Sequence, residues 1–566
     1  MNQQHPDLQF LPETALKELF NIENIAKILE SHKERLQSDI SILLSYIETR
    51  ATRIFAVLAW SQLEELIEEF FLYDFNDEKL PVRVEIDEEQ NLIEAFSFRS
   101  RWLSVDEHPF NFNRWTERNI DAFCDHDQWP FLSPIFYEEK FRYEFHERTR
   151  MPFVDERPQS EKETLFSVVQ EWRIHRDHIR NPHLIRLPND PKDHPTVAVK
   201  RLKQLDLTDD EFKTLTEAEV DALETIRKLN HPHLVRAVAY YTRGKSHYIM
   251  FPWADQGNLR DIWVKDRPKL DEKFLQWVFS QLYGLAEAIK ALHHSNKEKA
   301  LRHGDLKPEN ILCFENLEKE QNNGFLSCIL VVADVGSSRS HDNVTELRTN
   351  STRTKIGTIK YKPPETELQP NEPLSRRYDI WSLGCIYLEF MIWLLYGPGG
   401  FVQFREDLNS LGENTRFYVV EGGLDLRNRT FRLNGVVQRW VDWIKEDKRC
   451  PHHTAMRRLL DLVVDRLLIA DISRASSVFT RGTQQTVDST ATNPAPVPTI
   501  IIRQPLFEVD PADRLKSSRA TAEELCDELM MILDDTTSKH LEWIDWSVSA
   551  QSGPGRFADR LGTTDN

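Results

Sequence analysis

In the segment His303-Gly304-Asp305-Leu306-Lys307-Pro308-Glu309-Asn310-Ile311-Leu312, a carboxylate, an ammonium two residues on and a carboxamide five residues on share one loop bounded by apolar residues. Alone, an Asp and an Asn in a loop are usually turn formers. The full ten-residue string is hard to obtain by chance. Its groups have a defined chemistry. A carboxylate can orient or accept a hydroxyl proton, and a lysine ammonium is a compact charge suited to phosphate. Carboxylate and amide oxygens are hard ligands for a small divalent cation. Two further segments carry the same kinds of group: Lys200 in Val197-Ala198-Val199-Lys200, and Asp334 in Val331-Val332-Ala333-Asp334-Val335-Gly336.

The ten-residue string resembles the catalytic loop of the eukaryotic protein kinases, and the other parts of that family's pattern follow in order. Val197-Ala198-Val199-Lys200 resembles the strand lysine that contacts nucleotide phosphates, and Asp334 the magnesium-binding Asp of the DFG motif, with Val for Phe. Gly357-Thr358-Ile359-Lys360-Tyr361-Lys362-Pro363-Pro364-Glu365 resembles the segment ending in APE, with Pro for Ala. Asp379-Ile380-Trp381-Ser382-Leu383-Gly384-Cys385 is similar to the helix that anchors the catalytic loop, and Arg519 is placed to pair with Glu365. The resemblance implies an α+β, bilobal protein kinase fold over about 156–537, with an upper lobe to about 254 and a lower lobe from 255.

It also implies the roles. Phosphoryl transfer passes through a charge-rich, loosely bonded transition state, so the protein mainly positions and neutralises. Asp305 would orient the substrate hydroxyl and Lys307 would stabilise the transferring group, both as catalytic residues. Asn310 and Asp334 would hold Mg²⁺, and Lys200 would meet the ATP phosphates. Lys200 needs a carboxylate to hold it; Glu219 is favoured by its spacing to Leu223, Ile226 and His231-Pro232-His233-Leu234-Val235, with Glu217 and Glu224 as alternatives. Phe251 would be the gatekeeper. The hinge residues Pro252 and Ala254 would offer adenine a carbonyl and an N–H, a place where proline's missing donor costs nothing.

The sequence departs from the family at two points. The family's G-x-G-x-x-G would fall on Lys162-Glu163-Thr164-Leu165-Phe166-Ser167, yet residues 152 to 243 contain no glycine. Only glycine lets backbone N–H groups approach phosphates closely, so ATP is covered less tightly or its affinity is lost. Gly304 stands where most members carry the Arg that pairs with a phosphorylated activation loop. Thr349, Ser351, Thr352 and Thr354 lie in that loop, where solvated polar residues are the default. The chain is similar to fungal protein kinase-like proteins with a helical N-terminal domain. Lys307 and Thr358 resemble the Ser/Thr branch.

The expected activity is therefore ATP-dependent phosphorylation of Ser/Thr hydroxyls on a protein substrate. A pseudokinase scaffold is the alternative, and a small-molecule phosphotransferase a distant third.

The elements that must position these groups are legible in part. β-branched residues bracket Lys200, a helical pattern runs from about 210 to 229, and Tyr248-Ile249-Met250-Phe251 reads as a strand. Residues 14–71 read as helices whose apolar stripe (Leu36, Ile40, Leu43, Ile47, Ile54, Leu58) builds a bundle or receives a protein partner. The prolines and aromatics of 72–155 read as an irregular connector, completing a domain over 1–155. Residues 476–500 are Ser, Thr and Pro rich and read as a flexible insert; 538–566 read as a tail.

Composition bounds the rest. Of 566 residues, 72 are Lys or Arg and 91 are Asp or Glu, a net charge of −19 that argues against nucleic acid or an anionic membrane as a partner. No stretch is read as having the roughly 18 apolar residues needed to span a bilayer. The start lacks a basic region followed by an apolar one, so an intracellular, cytoplasmic location is expected. The six cysteines (Cys124, Cys313, Cys328, Cys385, Cys450, Cys526) form no CxxC pair and read as buried free thiols.

Overall fold

The apolar stripe from Ile40 to Leu58 is carried by two helices, Ile40–Arg50 and Thr52–Trp60, broken at Ala51 (φ −139°, ψ 27°). Asp39 caps the first by accepting the Ser41 N–H. Asp77 caps the second from a distance, accepting the N–H groups of Arg53 at 2.9 Å and Ile54 at 3.0 Å. Leu43, Ile47, Ile54 and Leu58 are fully buried with Phe70, Phe75, Phe110, Trp115 and Phe123 in one aromatic-rich core.

The computed structural model describes residues 10–87, 92–98, 102–110, 114–164, 166–205, 207–295, 301–315, 328–334, 359–367, 375–412, 415–422, 429–470, 519–549 and 553–554. It divides into two units, Met1–Thr216 with Arg236–Trp253, and Glu217–Val235 with Ala254–Asn566. The division falls inside the helix Asp209–Leu229. The expected insert at 476–500, Gly336, Gly357, Thr358 and the Thr and Ser positions from 349 to 354 lie outside the described residues.

In the first unit, the stretch read as an irregular connector contains regular structure. Strands β1 (Val82–Asp87), β2 (Leu92–Ser97) and β3 (Trp102–Leu103) form an antiparallel sheet in that order. The alternation in Val82-Arg83-Val84-Glu85-Ile86 carries the β signal, which the surrounding aromatics and prolines outweighed in the sequence reading. Phe136–Tyr137 (β4) pairs with Ile179–Arg180. Arg142–Phe145 (β5) lies before the expected boundary at 156, yet it adds a parallel edge to the larger sheet by pairing with Ala239–Arg243. The physical reason is a second core: Phe136, Tyr143, Met151 and Phe153 pack with Val197, Val199 and Met250.

The larger sheet continues with β6 (Glu161–Glu163), β7 (Ser167–Arg173), β8 (Ile179–Arg180, in the small sheet), β9 (Thr196–Leu202), β10 (Ala239–Arg243) and β11 (Ser246–Pro252). Its order is β5-β10-β11-β9-β7-β6. On β9, Val197 and Val199 are buried on one face, so Ala198 and Lys200 point to the other.

The second unit is mainly helical. Asp271 caps the helix Glu272–His294. Strands β12 (Ile311–Glu315) and β13 (Cys328–Val332) form a hairpin against it, held by Trp277 Nε1 on the Cys328 carbonyl at 2.9 Å and Gln281 Oε1 on the Leu330 N–H at 2.9 Å. The helix Arg377–Asn409 is buried along most of its length and kinks at Gly397 (φ 69°) before Pro398. Its most apolar 18 residues have mean hydropathy 1.5 and are 89% buried. Contrary to the expectation from sequence, a stretch apolar enough to span a bilayer exists, and protein covers it.

Residues read as a tail are partly anchored. The Ala455 and Met456 N–H groups reach the carbonyls of Glu542 and Trp543 at 2.7 and 3.1 Å, and the Trp543 ring packs on Phe279. All six cysteines are buried and free.

Candidate functional site

The loop 301–310 is held from below by one buried carboxylate. Asp379, fully buried near the start of the helix Arg377–Asn409, accepts the N–H of His303 at 2.9 Å, the N–H of Gly304 at 2.8 Å and His293 Nε2 at 2.9 Å. Burial works against its charge, but the His293 hydrogen bond, the nearby His303 and the Gly304 N–H hold its carboxyl below the usual carboxylate range. Gly304 sits at φ +74°, where a side chain would be strained.

His303 ties this loop to the next. Its Nδ1 accepts the Asp305 N–H at 3.2 Å, so Nε2 carries the proton and donates to the Ala333 carbonyl at 2.9 Å. The Ala333 N–H returns to the Asn310 carbonyl at 2.8 Å, and Ile311 is paired with Val332. The hairpin β12–β13 thus leaves Asn310 entering one strand and Asp334 leaving the other.

Asp305, Lys307 and Asn310 form one hydrogen-bonded set. Lys307 Nζ donates to Asp305 Oδ2 at 2.7 Å. Asn310 Nδ2 donates to the Asp305 carbonyl at 2.9 Å and to its Oδ2 at 3.2 Å. Because the amide nitrogen is committed, Asn310 Oδ1 is the end turned away, as a cation ligand requires. Asp305 and Asn310 are buried. Asp334 is half-buried at φ +61°, a left-handed conformation costing a non-glycine residue roughly 1–2 kcal/mol. Two hard-oxygen side chains next to a hydrogen-bonded turn fit a magnesium ion.

Lys200 belongs to the first unit. Cross-strand pairing puts Val169 of β7 and Ile249 of β11 beside it on the same face, and one step along Glu171, Ala198 and Phe251 share that face. Pro252 ends β11 opposite Val197, and Ala254, the first residue of the returning second unit, gives its carbonyl to Gly257 at 3.0 Å. Glu217, Glu219 and Glu224 are each half-buried on the helix Asp209–Leu229, in the second unit.

The glycine-free segment folds as a tight hairpin. Glu161, Lys162 and Glu163 pair with Gln170, Val169 and Val168, and the Thr164 N–H closes the turn on the Ser167 carbonyl at 2.8 Å. Lys203 fastens it: its N–H reaches the Phe166 carbonyl at 2.9 Å, and its Nζ reaches the Thr164 carbonyl at 2.8 Å and the Glu163 carboxylate.

Two buried ionic assemblies flank the second unit's loop. Arg519, expected to meet Glu365, does so at 2.7 and 3.1 Å. The other was not foreseen. Arg260 Nε donates to Glu309 at 3.1 Å, Arg260 also meets the Tyr361 hydroxyl, and that hydroxyl donates to Glu389 at 2.8 Å. Burial alone would lower the Arg260 guanidinium, but Glu389, Tyr361 and Glu309 hold it above its ordinary value. Glu309 and Tyr361 lie within the segments 303–312 and 357–365 that carry the sequence signal, whereas Arg260 and Glu389 have no local signal.

Residues 189–397 match the family model described as protein kinase domain. Among similar curated proteins are the serine/threonine-protein kinase chk-2 of Caenorhabditis elegans, 26% identical over 225 residues (39% of this chain, 41% of that one), and the calcium/calmodulin-dependent protein kinase cmkA of Emericella nidulans, 32% identical over 197 residues (35% and 41%). The serine/threonine-protein kinase Nek2 of Homo sapiens is 32% identical over 196 residues (32% and 38%). The chain therefore spans about two fifths of the length of these relatives.

Proposed function

From a chain that carries a eukaryotic-type protein kinase domain, we propose ATP-dependent transfer of the γ-phosphoryl group to Ser/Thr hydroxyls of a protein substrate. The observation that carries this reading is the Asp305–Lys307–Asn310 set, with Lys307 at 2.7 Å and Asn310 at 3.2 Å from the same carboxylate oxygen. Asp305 orients the substrate hydroxyl, and Lys307 shares its charge between Asp305 and the group in transfer. Asn310 and Asp334 supply oxygen ligands to Mg²⁺, whose chemistry is to neutralise phosphate charge. Lys200 meets the phosphates, with Glu219 as its proposed carboxylate; Pro252 and Ala254 receive adenine.

A second reading, a pseudokinase that binds partners without phosphotransfer, is favoured by one observation: the hairpin 161–170 is closed by Thr164, Ser167 and Lys203 and contains no glycine. Exposed Leu19, Ile22, Ile42 and Trp60 in the N-terminal helical region support a protein partner there. A cytoplasmic location is part of the same proposal.

Thermal melting with and without Mg-ATP, with Asp334→Ala as control, separates the readings. A ligand at 100 times its Kd stabilises by about 2.7 kcal/mol. A magnesium-dependent rise lost in the variant supports the kinase reading. No rise at millimolar ATP supports the pseudokinase.

A further inference from the structure

The hairpin that replaces the glycine loop presents a lysine to the same face of the sheet as Lys200. Direct cross-strand partners share a face. Lys162 is paired with Val169, Val169 with Lys200, and Lys200 with Ile249, so these four residues form one row across β6, β7, β9 and β11. With adjacent strands about 4.8 Å apart, the two lysine backbones stand about 10 Å apart. Each side chain is roughly 6 Å long, so both ammonium groups can close on one polyphosphate chain.

The charges around Lys162 leave it available. Its neighbours Glu161 and Glu163 point to the opposite face and are engaged, Glu161 by Gln170 Nε2 at 2.6 Å and Glu163 by Lys203. Glu171, the carboxylate on the shared face, accepts Ser160 Oγ at 2.7 Å. Lys162 itself is exposed and makes no hydrogen bond or ion pair among the described residues. The rest of the face, Val169, Ala198, Ile249 and Phe251, is apolar. Two cations beside an apolar patch suit a ligand with a flat hydrophobic end and an anionic tail.

We infer that Lys162 binds the phosphate chain of a nucleoside triphosphate, so that a side-chain ammonium does the work that backbone N–H groups of a glycine-rich loop would otherwise do. This rests on the proposed nucleotide binding and assigns it a residue. An ammonium on a flexible stem needs no close backbone approach, which is why a closed, glycine-free hairpin is compatible with phosphate binding.

Calorimetric titration of the full chain with Mg-ATP, and separately with adenosine, tests it. Lys162→Ala should weaken Mg-ATP about tenfold, the range of a charge-assisted contact, and leave adenosine unchanged. Lys162→Arg should restore most of the loss. Arg201→Ala, an exposed cation on the opposite face of β9, should bind Mg-ATP as the wild type does. If Lys162→Ala binds Mg-ATP like a wild type that binds it well, or Arg201→Ala loses as much, this inference fails and the kinase reading stands. A wild type that binds no Mg-ATP overturns both.

Discussion

Arg519 donates two hydrogen bonds to Glu365, at 2.7 and 3.1 Å, across 154 positions of chain. The guanidinium also donates to the carbonyls of Arg377 at 2.9 Å and Ile469 at 3.0 Å, and lies over the Trp381 ring at 5.1 Å. One cation thus fastens the segment entering the helix Ala522–Thr537 to the Pro364-Glu365 turn and the start of the helix that carries Asp379. Removing one member of a buried pair strands the other's charge, a loss of roughly 3–5 kcal/mol. Arg519→Leu should lower unfolding stability in urea by about that amount, and adding Glu365→Leu should recover part of it. A loss under 1 kcal/mol would mean the pair contributes little.

Asp305→Asn should abolish phosphotransfer while leaving the melting temperature nearly unchanged. The amide oxygen can still accept from Lys307 or Asn310, so the loop keeps its shape, but the carboxylate proposed to orient the hydroxyl is gone. A fall in kcat of at least about 10²-fold is expected. Equal rates in a phosphate-release or peptide assay would remove Asp305 from its assigned role.

Gly284 marks a contact that neither composition nor motif reveals. A Cβ there would lie 2.0 Å from His233 Nε2. His233 uses that notch to reach the Leu330 carbonyl at 2.7 Å with Nδ1, while its own carbonyl takes the Val332 N–H at 2.9 Å. The His231-to-Val235 turn is thereby tied to β13, the strand leading to Asp334. Gly284→Ala should destabilise by about 1–3 kcal/mol through overpacking. Combining it with His233→Ala should cost less than the sum of the two, a coupling that a double-mutant cycle in urea would measure. Strict additivity would show that the two residues do not meet.

How much could be read beforehand follows from where each residue's constraint originates. Asp305, Lys307 and Asn310 lie within six residues, so the sequence alone already places them in one loop, where the structure finds them hydrogen-bonded to one another. Arg519 and Glu365 were legible because each sits in its own local motif. The Arg260–Glu309–Tyr361–Glu389 assembly was not, because its four members come from different elements and acquire a common purpose only after packing. Strand β5 was missed for a related reason. Arg142–Phe145 alternates weakly, and what makes it a strand is the parallel partner Ala239–Arg243, almost 100 residues later.

Lys360 offers a pH-dependent test of the segment beside Tyr361. It is buried, with Nζ donating to Asn409 Oδ1 at 2.9 Å. Burial first, and then Arg405, push its ammonium down to about 8, against the pull of Glu389. The unfolded chain keeps this proton to about pH 10.4. Between the two values the unfolded state binds more protons than the folded one, so stability should rise with pH across that window, by up to about 3 kcal/mol from this residue. Below pH 8 both states are protonated and the slope should vanish. Other groups titrate in this range, so the quantity to measure is the difference between wild type and Lys360→Met in urea unfolding at successive pH values. That difference should grow in favour of wild type from pH 8 to 10.5. A flat difference would mean that Lys360 keeps its proton in the folded protein and that the Asn409 contact, with the nearby Glu389, compensates for its burial.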